Sequence, residues 1–301
     1  MKRILRYTGI GLLGLLGVAL LAATAVYGTS EYRLRKTYDL PVSAVALSGD
    51  PEVIARGRHL MVTRGCVDCH GENLGGVTIM DDPIVGRISG TNLTRGAGGV
   101  AGGYTDESWV TAIRHGLRPD GKPLLFMPSH EFYPLSDEDV GALVAYIKSA
   151  PAVDNEVPEH RVGPLARVLL LAGQMDLIPA ELIDHEAPRP AGPPAGVTAE
   201  YGAYLATGCV GCHGHTYSGG RIPGTPPSFP AVSNITPDSE TGIGEWTEAD
   251  FFRSMREGVR PDGSALDPFM PVQNTRQMTD DELRAIWLYL RTLEPKPEGN
   301  R

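Results

Sequence analysis

The chain has 301 residues, enough for about two ordinary domains, with 42% hydrophobic and 21% charged residues. Its 37 glycines and 25 prolines require many loops yet stay below the proportion that marks a disordered chain. Residues 31–301 carry 24 bases against 36 acids, which argues against nucleic acid or an anionic lipid surface as a partner and suits a protein with a basic docking face.

The first predicted element is an apolar segment. After Lys2, Arg3 and Arg6, residues 7–30 carry no formal charge, and residues 10–26 are densely apolar. A helix that spans a membrane needs about 20 predominantly apolar residues, and glycines such as Gly11, Gly14 and Gly17 are compatible with one. Residues 1–30 therefore read as a membrane anchor. The competing reading is a cleaved signal peptide, with Ala23-Thr24-Ala25 as the cleavage site, although such peptides usually have an apolar core of about 7–15 residues. On either reading the rest of the chain is exported. Lys2, Arg3 and Arg6 favour a cytoplasmic N-terminus, a signal weakened by Arg33, Arg35 and Lys36 beyond the segment.

The remainder repeats itself. Cys66, Cys69 and His70 match Cys209, Cys212 and His213 at an offset of 143. Asn92-Leu93-Thr94 matches Asn234-Ile235-Thr236, and Arg118-Pro119-Asp120-Gly121 matches Arg260-Pro261-Asp262-Gly263, at 142. Met127-Pro128 matches Met270-Pro271, and Tyr146 matches Tyr289, at 143. Ordered matches of this kind mark two copies of one domain, at 45–150 and 198–301.

Each copy reads as short helices joined by long loops. A first helix is predicted at 51–63 and 198–206, a middle helix at 105–115 and 247–257, and a last helix at 137–149 and 280–292. Ser136 and Thr279 are N-caps, with Glu282 completing a capping box, and Thr247 with Asp250 resembles another cap. Val140, Leu143, Val144 and Ile147, and Leu283, Ile286, Trp287 and Leu290, keep helical spacing. Tyr146 and Tyr289 are expected to pack on Gly57 and Gly202 where the first and last helices cross. Strand signals are scarce, so the predicted fold class is all-α. The connection, 151–197, holds an apolar helix at 164–177 and a semi-rigid stretch rich in proline, alanine and glycine at 187–196. The helix either packs between the domains or offers a patch to a partner or the membrane surface.

All four cysteines fall in the two motifs Cys66-Val67-Asp68-Cys69-His70 and Cys209-Val210-Gly211-Cys212-His213. This spacing is that of c-type haem attachment: two sulfurs fix the porphyrin and the adjacent histidine sits under the iron. A zinc site or a redox dithiol also uses paired cysteines, but neither explains a histidine directly after each pair. The reading is therefore two covalent haems, with His70 and His213 as proximal iron ligands. Met127 and Met270 each follow their histidine by 57 residues and are the only methionines at matched positions, so they are the candidate sixth ligands. The alternatives His115 and His130 have Glu257 and Gln273 as counterparts, and His215 reads as solvated. Methionine raises the reduction potential, so both haems read as low-spin electron carriers. Asn92, Asn234, Arg118 and Arg260 would contact haem propionates or brace the methionine loop. Tyr104, Trp109, Trp246 and Phe251 would wall the pockets.

Each half resembles a class I cytochrome c domain, over about residues 50–150 and 198–295. More specifically, Asn234-Ile235-Thr236-Pro237-Asp238, Thr241-Gly242-Ile243-Gly244-Glu245-Trp246-Thr247, Arg260-Pro261-Asp262-Gly263 and Met270-Pro271 resemble cytochrome subunits of membrane-bound bacterial alcohol, gluconate and aldehyde dehydrogenases. Copy one keeps the asparagine and the Arg-Pro-Asp-Gly but has a glycine-rich stretch at 95–103. Those subunits commonly carry three haems, against two motifs here. The resemblance implies a non-catalytic carrier that accepts electrons from a periplasmic dehydrogenase and passes them to quinone, an oxidase or another cytochrome. Its haem domains would lie in the periplasm, where bacterial c-haem assembly places them, on a single-pass anchor in the cytoplasmic membrane. The alternatives are a di-haem peroxidase, whose halves should differ at the distal ligand, and a thiosulfate-oxidising di-haem protein, which needs a distal cysteine.

Overall fold

The computed structural model describes residues 2–40, 45–188 and 191–301. Met1 of the anchor, and Arg189 and Pro190 of the connection, lie outside the described residues. α1 (Lys2–Arg35) is a single helix of 34 residues. Its most apolar stretch of 18 residues has mean hydropathy 2.3 and none of it is buried in the protein. Among the described residues, α1 is the one helix long and apolar enough to cross a membrane.

The first repeat runs α2 (Pro51–Thr63), α3 (Cys66–His70), β1 (Val77–Asp82), β2 (Gly86–Gly90), α4 (Asp106–His115), α5 (Ser129–Phe132) and α6 (Asp137–Ser149). β3 (Arg161–Val162) and α7 (Pro164–Leu171) belong to the connection. The second repeat runs α8 (Ala199–Ala206), α9 (Val210–His213), α10 (Glu248–Glu257), α11 (Val272–Thr275) and α12 (Asp280–Leu290). The molecule is mainly helical, as the periodicity predicts.

Both repeats are built on one helix crossing, α2 on α6 and α8 on α12. Glycine makes each crossing close. A methyl group at Gly57 would strike the Ala142 carbonyl and the Tyr146 Cβ; one at Gly202 would strike the Ala285 carbonyl and the Tyr289 Cβ. The tyrosines thus pack on the glycines as expected. Around the first crossing, Leu60, Met61, Val110, Val140, Leu143 and Val144 form a core; around the second, Tyr201, Leu205, Phe251, Leu283 and Ile286 do so. Burying each such side chain is worth about 1.5–3 kcal/mol.

Caps fix where the helices begin and end. Thr105 accepts the Ser108 N–H and Ser136 accepts the Asp139 N–H, while Thr247 with Asp250 and Thr279 with Glu282 form reciprocal capping boxes. α4 and α10 both stop at a left-handed glycine, Gly116 (φ 65°) and Gly258 (φ 71°), which turns the chain into the Arg-Pro-Asp-Gly loop.

Two features differ from expectation. A small antiparallel sheet, ordered β1-β2-β3, is present where strand signals are scarce. Its outer strand exposes Val77 and Ile79, and a register shift between Thr78 and Met80 breaks the alternation a strand would show. The apolar helix of the connection is shorter than 164–177: α7 ends at Leu171, and Gly173 (φ 65°) turns the chain away. α7 sits against α1 and the first domain, its Ala166 and Leu170 buried with Leu117, Leu177 and Ile178.

Candidate haem sites

The first motif forms α3, one short turn after α2; in the second, a 3-10 turn at Thr207–Cys209 leads from α8 into α9. His70 Nδ1 lies 2.8 Å from the Thr91 carbonyl, and His213 Nδ1 lies 2.8 Å from the Ser233 carbonyl. A carbonyl only accepts, so Nδ1 carries the hydrogen in both rings and Nε2 keeps its lone pair. Burial holds both histidines below the usual imidazole range, although the carbonyl bonds work in the opposite direction. Each ring is thus neutral, oriented, and available as a metal ligand through Nε2.

The cysteines are not joined as disulfides. Burial pushes Cys66 up to about 12 and Cys209 up to about 11. Reactive and redox cysteines have depressed values, the opposite of the direction burial imposes here.

In the first domain a cavity of about 550 Å³ has Cys66, Cys69 and His70 on its walls together with Met127. Tyr104 and Trp109 complete it, their ring centroids 4.5 Å apart. The structure therefore brings the predicted proximal and distal residues of this domain together. In the second domain, Met270 lines a depression of about 370 Å³ with Gly258, Leu266 and Val272, and His213 is not among its walls. The two methionine turns are nonetheless alike: Ser129 N–H donates to the Met127 carbonyl at 2.7 Å, and Val272 N–H to the Met270 carbonyl at 2.8 Å. Phe251 and Trp287 pair at 5.5 Å in the second core, with Trp246 packed on it.

The cytochrome c family model matches residues 54–151 and 199–294, the two repeats. The chain belongs to the cytochrome c family. It is 28% identical, over 294 residues, to the cytochrome c subunit of the quinone alcohol dehydrogenase of Gluconobacter oxydans, covering 85% of this chain and 58% of that protein. The corresponding subunit of Gluconacetobacter polyoxogenes is 30% identical over 290 residues, covering 83% and 58%. The fructose dehydrogenase cytochrome subunit of Gluconobacter japonicus is 28% identical over 308 residues, covering 94% and 59%. The chain thus spans less than two thirds of the length of these relatives.

Cytochrome c domains imply covalent haem, and the residues fit it. A cavity of 550 Å³ lies within the range of about 300–1,000 Å³ common for ligand and cofactor pockets. Its walls supply two thiols and a histidine with a free Nε2 on one motif. Arg118 is also a wall, 3.5 Å from Asp120, while Arg260 donates to the Ala265 carbonyl. The asparagines are braces: Asn92 donates to the Val153 carbonyl and Asn234 to the Lys296 carbonyl, both at 2.7 Å. They tie the chain after each last helix to the loop beside the motif. His115 pairs with His185 (Nδ1 to Nδ1, 2.9 Å), His130 lies 3.8 Å from Glu131, and His215 is exposed.

Three residues at these sites carry no sequence signal. His160, from the connection, lines the first cavity and accepts the Ser89 N–H at 3.4 Å; Leu34, from the end of α1, is another wall. Neither has a counterpart in the repeat. Arg64 donates to the Leu205 carbonyl (3.0 Å) and the Thr207 hydroxyl (3.1 Å) across the domain interface, and its charge acts on both Cys66 and Cys209.

The two motifs face that interface symmetrically. Asn274 donates to Asp68 in the first motif, and Glu131 lies against Gly211 in the second. Asp68 and Gly211, and Glu131 and Asn274, are matched pairs at the offset of 143. One contact is thus made twice about a pseudo-two-fold axis. His59 with Glu282 (2.9 Å) and Tyr204 with Asp139 (2.6 Å) extend it.

Burial pushes the Glu131 carboxyl up to about 7 from 4.5, against the pull of Arg64. The folded protein then holds this proton more tightly than the unfolded chain. Stability from this group is complete below about pH 4.5 and is lost as the pH rises through about 7. Melting temperature should fall across that window, and Glu131→Gln should flatten the fall; an unchanged slope in the variant would contradict the assignment.

Proposed function

We propose that this chain is a membrane-anchored electron relay with two covalent haems, attached at Cys66 and Cys69 and at Cys209 and Cys212. His70 and Met127 would hold one iron and His213 and Met270 the other. The iron supplies one-electron redox chemistry. The protein orients each histidine through Nδ1, lines the first cavity with Tyr104 and Trp109, and sets each motif against the methionine-turn helix of the other domain. A methionine ligand would favour the reduced iron and raise its potential. The observation that carries the reading is the matched pair of Nδ1–carbonyl bonds, which leaves a ligand nitrogen free in both repeats.

The relatives are named as cytochrome subunits of alcohol and fructose dehydrogenases, which supports a dehydrogenase as donor; its place in the reading is the periplasm. The acceptor is quinone or an oxidase or cytochrome of the respiratory chain. α1 holds the chain in the cytoplasmic membrane as a single span, with both haem domains in the periplasm. No step of substrate chemistry is assigned to the chain itself. An anaerobic reductive titration should take up two electrons per chain, and the untreated protein should be low-spin and inert to peroxide. A high-spin haem that turns over peroxide would overturn the carrier reading in favour of a di-haem peroxidase.

A further inference from the structure

α7 has an apolar face that the fold leaves uncovered. Leu165 is 42% and Val168 48% exposed, on the side away from buried Ala166 and Leu170. Beside them the tip of the β1–β2 hairpin presents Ile84, 57% exposed. The two are joined, because the Leu165 N–H donates to the Ile84 carbonyl at 3.1 Å.

Contacts with α1 fix the level of this face. Arg167 donates to the Ser30 hydroxyl and to the Glu31 carboxylate, each at 2.8 Å, and lies over the Tyr27 ring. One turn further along α7, the Leu170 carbonyl accepts from Arg33 at 3.3 Å, and Arg33 also pairs with Glu181. Moving back from Leu170 to Arg167 therefore moves back along α1 from Arg33 to residues 27–31. α7 points its N-terminus toward the apolar part of α1. With both helices rising about 1.5 Å per residue, Leu165 comes about level with Gly28, just beyond Val26 at the end of the apolar run. Ile84, bonded to it, shares that level.

We propose that Leu165, Val168 and Ile84 rest in the boundary between headgroups and acyl chains of the bilayer that α1 crosses. The proposal rests on α1 being a retained membrane anchor. Apolar side chains at this depth partition into the boundary, as they do on interfacial helices. An acidic body with 24 bases against 36 acids seats itself by such contact rather than by charge. The first domain is then fixed on the membrane by α1, α7 and the hairpin tip together. Because Leu34 is a wall of the first cavity, this seating also holds that cavity close to the bilayer.

The test uses the full-length holoprotein in phosphatidylcholine vesicles, with nitroxide labels on Ile84→Cys, Leu165→Cys and Val168→Cys, read by their collisions with oxygen and with a water-soluble nickel chelate. Leu16→Cys on α1 is the membrane reference and Leu288→Cys on the second domain the aqueous one; both positions are exposed. The expected result is an oxygen-to-nickel accessibility ratio several-fold above that of position 288 at all three sites. Ratios equal to that of position 288, with position 16 still lipid-like, would overturn the seating while leaving the anchor intact. A water-like position 16 would overturn the anchor and the seating with it.

Discussion

Replacing Met127 by alanine should remove half of the near-infrared band that methionine–iron ligation gives the oxidised protein, and Met270→Ala should remove the other half. Each substitution should also lower the potential of its own haem and leave the other unchanged, because loss of the thioether removes the ligand that favours reduced iron. The two methionines rest on different observations. Met127 shares a cavity with His70, whereas the Met270 assignment stands on its spacing from His213 and on a methionine–proline turn like that of the first domain. Met270→Ala is therefore the sharper test. An unchanged band and potential in that variant would show that the second iron takes its sixth ligand elsewhere.

Gly57→Ala should destabilise the first domain while leaving the second nearly unaltered. The added methyl meets backbone at Ala142 and the Cβ of Tyr146, and neither can rotate away, so α2 must back off α6. Overpacking of this kind costs about 1–3 kcal/mol. A domain of this size loses about 4–8 °C per kcal/mol, so calorimetry should show its transition roughly 5–20 °C lower. Gly102→Ala is the control, since nothing lies within 4 Å of a methyl there. A wild-type transition in Gly57→Ala would mean that the crossing is looser than described.

Much of the site is legible in the amino-acid sequence because the chain carries its own internal comparison. The offset of 142–143 picks Met127 and Met270 from eight methionines and relates Tyr146 to Tyr289, while Gly57 and Gly202, 145 residues apart, share their place at the crossing. Capping residues give the helix starts to within a residue, since a cap is a local bond between neighbours in sequence. The features that stay hidden occur in one copy only or act over long sequence distances. Only the base of the β1–β2 hairpin recurs, as the single bridge of Gly220 with Val232, and the hairpin has no clean alternation. His160 and Leu34 reach the first cavity from the connection and from α1, about 90 and 36 residues from His70. Arg64 is an ordinary arginine in sequence, and only the packing of the two domains places it between both cysteine pairs. The bracing roles of Asn92 and Asn234 are hidden for the same reason. Their partners, Val153 and Lys296, lie about 60 residues away at matched positions outside the motif.

Two haems bound through these cysteines are the centre of the proposed function. The most direct test is the haem content of the purified chain, measured as alkaline pyridine haemochrome after acid–acetone extraction. Two haems per chain should resist extraction, and the double substitution Cys66→Ser with Cys69→Ser should leave one. Haem that extracts freely, or a wild-type chain that retains fewer than two, would contradict the di-haem relay.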